Sequence, residues 1–412
     1  MKKLASTVRK ASKELLKLNK ETKDLIFDDL VKALDENREL ILEKNQLDLD
    51  AAFKNDLSKA MVDRLKLTNE RIDDIISGVK TIKEQPEVVG SFYNEFTNDL
   101  GLKIKRQRVP LGVILMIFES RPNVVVDCAA LALKSSNAII LKGGKEAKHS
   151  NEVLGKIIQD AISKYVNKNV VEVLASDNRE VLNDLLNLKD DIDVVIPRGG
   201  HGLINHAFEN AKMPVIAHYQ GLCHMYIDSE ADIEKAVTLV ENAKTQRTGV
   251  CNAIETLLIH KDILPKVNDK ISKRLLAKGC ELRVDEEFAN QTKGTFIKAT
   301  QEDWSTEYLD NILSIKTVSS LDEAIDHIDE YGSNHSECIV SNNEENCQKF
   351  LQSVDASCVM VNASTRFNDG GQLGLGAELG ISTTKLHAYG PMGVEQMTTS
   401  RYVVVGDGQI RS

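Results

Sequence analysis

The chain has 412 residues, enough for two or three domains of roughly 100–200 residues each. Its 42% hydrophobic and 28% charged residues suit a globular protein with sizeable cores, and a net charge of −10 argues against nucleic acid or an anionic membrane surface as a main partner. No apolar run approaches the roughly 20 residues of a membrane span, and seven scattered cysteines without a C-x-x-C pair fit neither a disulfide framework nor a zinc site.

The basic start Met1-Lys2-Lys3 is followed early by Glu14, Glu21 and Asp24, which transit peptides avoid, so the cytoplasm is the expected address. From about residue 5 to 80, apolar residues recur at three- and four-residue intervals and predict helices. Residues 103–109 alternate like a strand with one face in water; Pro110 and Gly112 punctuate, and 113–118 reads as a buried strand. Helices at 125–134, 151–165, 179–188 and 203–210 then alternate with strands at 138–142, 170–174, 193–197 and 215–218. That alternation predicts a parallel sheet covered on both faces, with ligands at the carboxyl ends of its strands.

After a helix at 233–242 comes the polar, glycine-marked loop Gln246-Arg247-Thr248-Gly249-Val250-Cys251-Asn252. A second alternation runs from a strand at 255–260 to one at 358–362, with a helix at 321–331 and a strand at 337–341, and predicts a second α/β domain. The segment 368–380 is glycine-rich. The strand at 401–406 has no later partner and is expected to pair with another subunit.

A G-x-G-x-x-G fingerprint after an opening strand is absent, and Gly374-x-Gly376 lacks a preceding strand. Two other turns could cradle phosphate at a helix N-terminus: Lys142-Gly143-Gly144-Lys145 and Arg198-Gly199-Gly200-His201-Gly202, expected on neighbouring strands. Each alone reads as a plain strand-to-helix turn; two together, both carrying cations, weigh equally for a nucleotide site. Cys251, in its loop between the two α/β units, is the candidate nucleophile; the plain alternative is a passive loop cysteine. Cys223 and His224 are weaker candidates. Glu119-Ser120-Arg121-Pro122-Asn123 follows a buried strand, and Asn362-Ala363-Ser364-Thr365-Arg366-Phe367 ends another. Arg121 and Arg366 suit a carboxylate or phosphate, or else a pair of interface salt bridges.

These residues resemble the γ-glutamyl phosphate reductase family, within the aldehyde dehydrogenase superfamily, essentially end to end. The resemblance rests on 110–144, 195–202, 221–228, 251–260 and 361–411, including Phe118-Glu-Ser-Arg-Pro-Asn123, Gly374-Leu-Gly-Ala-Glu378 and Lys385-Leu-His-Ala388. It implies an aldehyde dehydrogenase-like fold with two α/β domains, a Rossmann-like cofactor domain and a catalytic domain, plus a small oligomerisation element. The expected boundaries are 1–102 with 111–246 for NADP binding, 247–375 for catalysis, and 103–110 with 376–412 for oligomerisation.

The resemblance also implies reduction of L-glutamyl 5-phosphate by NADPH to glutamate 5-semialdehyde, phosphate and NADP, the second step of proline synthesis. Cys251 matches the superfamily's nucleophile, Lys142 the lysine at the adenosine ribose, and Glu307 the glutamate at the nicotinamide ribose. Lys145 stands where NAD-preferring relatives carry a glutamate, which favours a 2′-phosphate. Gly199, Gly200 and Gly202 are expected at the cofactor, Arg121 or Asn123 at the oxyanion, and Arg121 or His224 at the departing phosphate. Glu119, Ser120, Arg121, Asn252, Ser364, Thr365 and Arg366 are expected at the substrate.

Where hydrolytic relatives place a water-activating glutamate, the alignment falls on Ala217-His218, with no acid. That loss suits an acyl group passed to phosphate rather than to hydroxide. A CoA-linked acylating dehydrogenase, which also lacks the base, is the nearest rival. The expected partners are further copies of the chain, in a dimer or dimer-based homo-oligomer, and glutamate 5-kinase. From another class, an inactive relative could serve as a scaffold holding the upstream kinase; intact Cys251, Lys142 and Glu307 argue against it.

Overall fold

The computed structural model describes residues 1–175, 179–217 and 220–411. Regular apolar spacing gives helices α1 Lys2–Leu15, α2 Lys20–Glu36, α3 Arg38–Lys54, α4 Lys59–Leu65 and α5 Asn69–Glu84. Asn19, Ser58 and Thr68 begin three of these by accepting the backbone N–H three residues on. α1 turns Ala5, Val8, Ala11 and Leu15 inward, all on one side of the helix.

An antiparallel ribbon follows, β1 Phe92–Thr97 against β2 Lys103–Pro110. β1 escapes a reading of the sequence because all its residues are exposed, so no apolar alternation marks it. The C-terminal strand, here β16 Thr398–Val405, is not partnerless: it pairs with β2 from Thr398 opposite Pro110 to Val405 opposite Lys103. Its partner lies almost three hundred residues upstream, and β16 keeps its other edge free of any strand among the described residues.

The four-stranded sheet holds β3 Val113–Phe118, β4 Ala138–Lys142, β5 Val171–Leu174 and β6 Val194–Arg198 in the order β5-β4-β3-β6, all parallel. Every residue of β3 is buried, as a central strand covered on both faces requires. Each large apolar side chain there contributes roughly 1.5–3 kcal/mol on burial. The covering helices are α6 Asn123–Lys134, α7 Lys148–Ile162, α8 Arg179–Leu186 and α9 His201–Asn210, together with the N-terminal helices. β4 and β6, expected from sequence to be neighbours, are separated by β3. Of the expected strand at 215–218, Val215 forms a single bridge to Val195, and residue 218 lies outside the described residues.

The second sheet is built from β7 Cys223–Ile227, α10 Ile233–Thr245, β8 Ile254–His260, α11 Leu264–Ala277, β9 Glu281–Val284, α12 Glu286–Gln291, β10 Ile297–Lys298, β11 Ile312–Val318, α13 Leu321–Tyr331, β12 Ser336–Val340, α14 Glu344–Ser353 and β13 Cys358–Val361. Its seven strands run parallel in the order β10-β9-β11-β8-β7-β12-β13. A short antiparallel pair, β14 Ile381–Ser382 and β15 Gly390–Pro391, completes the strands.

Contacts divide the chain into residues 1–217 with 374–380 and 392–412, and residues 218–373 with 381–391. The division therefore falls at 217/218 and not at the expected 246/247. The reason is that β7 is hydrogen-bonded between β8 and β12, in the middle of the second sheet. Likewise, residues 376–412 do not form one element but are shared between the two units. Among the described residues, no helix is long and apolar enough to cross a membrane.

Candidate active site

In the first unit, the loops leaving β3, β4 and β6 collect at the carboxyl edge of the sheet, and carboxylates pin them to one another. Glu146 Oε1 accepts the backbone N–H of Ser120 at 2.6 Å and its hydroxyl at 2.8 Å, tying the β3 loop to the β4 loop. Glu119 Oε2 accepts the N–H of Gly200 at 3.0 Å, tying the β3 loop to the start of α9. Ser120, with φ 45°, holds the bend between these two bonds. A carboxylate on a backbone N–H is among the stronger hydrogen bonds available to a loop.

Inside this frame Lys142 Nζ donates to the carbonyl of Gly143 at 2.8 Å, while Lys145 stands exposed one turn on. Gly143 is required by close approach: a Cβ there would collide with the buried Asn151 side chain and lie 3.1 Å from Phe118 Cζ. Gly199 packs against the Glu119 carboxylate in the same way, whereas a Cβ on Gly200 or Gly202 would meet nothing within 4 Å. Close glycine turns, open space at the start of a ten-residue helix and two lysines form a setting that fits a dinucleotide phosphate.

Arg121 is half-buried just past β3. Asn123 opens α6, and its Nδ2 donates to Asp127 Oδ2 at 2.9 Å. Burial pushes the Asp127 carboxyl up to about 6 despite that bond.

The second unit carries Cys251 in the turn before β8, at the amino edge of its sheet. Cys128, Cys223, Cys280, Cys338 and Cys347 are buried; Cys251 and Cys358 are only partly so. Burial raises the buried thiols, Cys280 and Cys338 to about 12, and keeps them protonated and inert.

The backbone around Cys251 is held from several directions. A Cβ on Gly221 would lie 2.5 Å from Cys251 Cα and 2.6 Å from its carbonyl carbon, so only glycine fits beside the loop. Cys223 Sγ donates to the Cys251 carbonyl at 3.1 Å and lies 3.6 Å from His335 Nδ1. Thr365 Oγ1 donates to the Asn252 carbonyl at 2.7 Å, and Asn252 Nδ2 donates to the Asn368 carbonyl at 3.0 Å. Glu307 Oε1 accepts the N–H of Gly221 at 2.9 Å.

Of the residues expected at the substrate, Thr365 and Ser364 are buried and engaged within the protein. Thr365 bonds Asn252, and Ser364 Oγ accepts the N–H of Arg366 at 3.4 Å. Asn252 is buried too. Arg366, like Glu119 and Arg121, keeps surface: its Nε donates to Gln246 Oε1 at 2.9 Å, and it lies within electrostatic reach of Cys251.

His224 does not fit the role expected for it. It is fully buried, with Nδ1 and its backbone N–H on Glu337 Oε2 at 3.0 and 2.8 Å, and no departing phosphate can reach it. The misreading comes from a strand buried on both faces, where alternation no longer tells which side chains point outward. Sequence reasoning also missed Gly221, Ser333, Glu146 and Asn151. The glycine preceding an apolar strand was the one available signal; the others are ordinary polar residues placed by the fold.

One sheet carries glycine turns and lysines at its carboxyl edge, and the other a loop cysteine before a parallel strand. The chain belongs to the aldehyde dehydrogenase family, whose sequence profile ("Aldehyde dehydrogenase family") matches residues 1–314. That family uses a nicotinamide cofactor.

More particularly, the chain is similar to the gamma-glutamyl phosphate reductase of Francisella philomiragia subsp. philomiragia, 49% identical over 409 residues and 99% of each chain. It is also similar to that of Desulfotalea psychrophila, 47% identical over 98% of this chain and 96% of the other. The crystal structure of gamma-glutamyl phosphate reductase from Thermotoga maritima matches with a TM-score of 0.97 at 41% identity, over 100% of this chain and 99% of that one.

Proposed function

We propose that the chain reduces L-glutamyl 5-phosphate with NADPH to L-glutamate 5-semialdehyde and phosphate, the second step of proline biosynthesis from glutamate, through a thioester on Cys251. The observation that carries this reading is the partly exposed Cys251 thiol on a backbone fixed by Gly221, Cys223 and Asn252, in a chain so similar to named reductases.

Lys142, Lys145, Gly199, Gly200, Gly202 and Glu307 would hold the cofactor, with Lys145 meeting a 2′-phosphate. When bound, NADPH supplies the hydride that reduces the thioester. The Cys251 thiolate forms the S–C bond to the γ-carbonyl carbon, and the C–O bond to phosphate breaks with its electron pair on phosphate. Backbone N–H groups of the Cys251 loop are proposed to stabilise the oxyanion formed on the way. Once the carbon is reduced, the C–S bond breaks, the aldehyde forms and the thiolate is restored. Arg366 is proposed to hold a carboxylate of the substrate. The sequence offers no acid at 217–218 to activate water, which suits an acyl group passed to phosphate rather than to hydroxide.

We also assign a homo-oligomer in the cytoplasm. Phe92, Phe96, Tyr402, Val404 and Val405 are exposed on the β1-β2-β16 ribbon, and an apolar sheet edge of this kind favours pairing with a second copy.

The reverse reaction tests the chemistry: glutamate 5-semialdehyde is offered with NADP or NAD, and with phosphate or CoA. NADPH formation that requires phosphate is the expected result. Turnover dependent on CoA, or equal turnover without phosphate, would overturn it.

A further inference from the structure

Glu307 sits in the loop between the 3-10 turn Glu302–Ser305 and β11, and its carboxylate accepts the N–H of Gly221. Gly221 lies against the backbone of Cys251 so closely that a methyl group there would collide with the Cys251 carbonyl oxygen and lie 2.5 Å from its Cα. The next residue is fixed as well, the Leu222 N–H donating to Ser333 Oγ at 2.8 Å.

The Glu307 loop is itself anchored in the core. Leu309, at φ 52°, donates its N–H to Glu255 Oε1 at 3.2 Å, and Glu255 Oε2 meets Lys244 Nζ at 2.6 Å with both side chains fully buried. Glu255 stands four residues after Cys251 on β8. A path of contacts therefore runs from the buried Lys244–Glu255 pair, on the nucleophile's own segment, through Leu309 and Glu307 to Gly221, and back to Cys251.

We propose that Glu307 is a positioning residue for Cys251: by gripping Gly221 it sets the backbone from which the thiolate attacks, before any cofactor is present. This rests on the reading of Cys251 as the nucleophile. A carboxylate that served a cofactor ribose alone would leave the cofactor-free thiol unchanged. A clamp on Gly221 would not.

The test is the rate and pH profile of iodoacetamide alkylation of Cys251 in cofactor-free enzyme, located by peptide mass spectrometry, for Glu307→Gln and Glu307→Ala. Both variants lose the charge, but the glutamine keeps an oxygen that can accept from Gly221. The alanine variant is expected to alkylate Cys251 about tenfold more slowly than the glutamine variant, the usual scale for losing a hydrogen bond of this kind. Its kcat at saturating NADPH should fall in parallel. Equal rates for the two variants, or a faster alanine variant, overturn the proposal, and a rise confined to the cofactor KM assigns Glu307 to the cofactor alone.

Should the alanine variant fail to fold, Glu307→Asp carries the same comparison, keeping the charge but withdrawing the carboxylate by one methylene. Alkylation of Cys251 that left turnover intact would instead refute the nucleophile reading, so the two failures are separable.

Discussion

The two parallel sheets of this protein carry their candidate site residues at opposite edges. In the four-stranded sheet, the candidate binding residues follow β3, β4 and β6, at the carboxyl edge where open α/β sheets are expected to take ligands. In the seven-stranded sheet, Cys251, Gly221 and Ser333 precede β8, β7 and β12, at the amino edge. At the carboxyl edge, glycine-marked strand-to-helix turns shape the loops, and carboxylates tie them together. At the amino edge the loops precede the strands, and Glu307, Cys223, Ser333 and Thr365 fix them. Both edges share one device, a carboxylate on the N–H of a loop residue: Glu146 on Ser120, Glu119 on Gly200, Glu307 on Gly221.

The largest effect is expected at the amino edge. Gly221→Ala pushes the Cys251 backbone away, and kcat should fall at least about 100-fold, as misplacement of a reacting group by an ångström does. Steady-state kinetics of the folded variant decide this, and a kcat within a few-fold of wild type would mean the contact is dispensable. At the carboxyl edge the damage should be to binding. Gly143→Ala must displace Asn151, so the KM for NADPH should rise about tenfold with kcat changed much less. A loss of kcat at unchanged KM would put that turn in the chemistry and erase the contrast between the edges.

Lys145→Glu sharpens the same comparison. The ratio of kcat/KM with NADPH to that with NADH should drop about tenfold, with the alkylation rate of Cys251 unaltered. An unchanged ratio would remove Lys145 from the cofactor site.

The smallest effect concerns the segment that carries Glu307. Asp303 is buried, which works against its ionisation, yet bonds from Arg283, Thr300 and Tyr308 outweigh this and hold its carboxyl at about 2, below the ordinary 3.8. A depressed carboxyl stabilises the fold above its unfolded pKa and ceases to do so as pH falls through the folded one. Stability should therefore decline between about pH 4 and pH 2, by on the order of 1–2 kcal/mol from this group, and Asp303→Asn should flatten that part of the denaturation profile. An identical acid profile in the variant would show that Asp303 does not anchor this segment.

Much of this was legible in the sequence. The helix–strand alternation, the glycine turns after strands, and Cys251 in a polar loop all follow from local pattern, because each strand and helix carries its own periodicity. What could not be read is which sheet a strand joins. β7 is buried along its whole length, as β3 is, and its place between β8 and β12 is fixed by long-range pairing. The same limit hid the His224–Glu337 contact, formed by residues that face each other across strands more than a hundred residues apart. It also hid the Glu307–Gly221 contact, although Glu307 itself was found through resemblance.

The central claim is that Cys251 carries the acyl group. Enzyme given glutamate 5-semialdehyde and NADP without phosphate, then digested and mapped by mass spectrometry, should show a glutamyl adduct on Cys251 that phosphate discharges. An adduct on another residue, or turnover that proceeds with no covalent species on Cys251, would contradict the account.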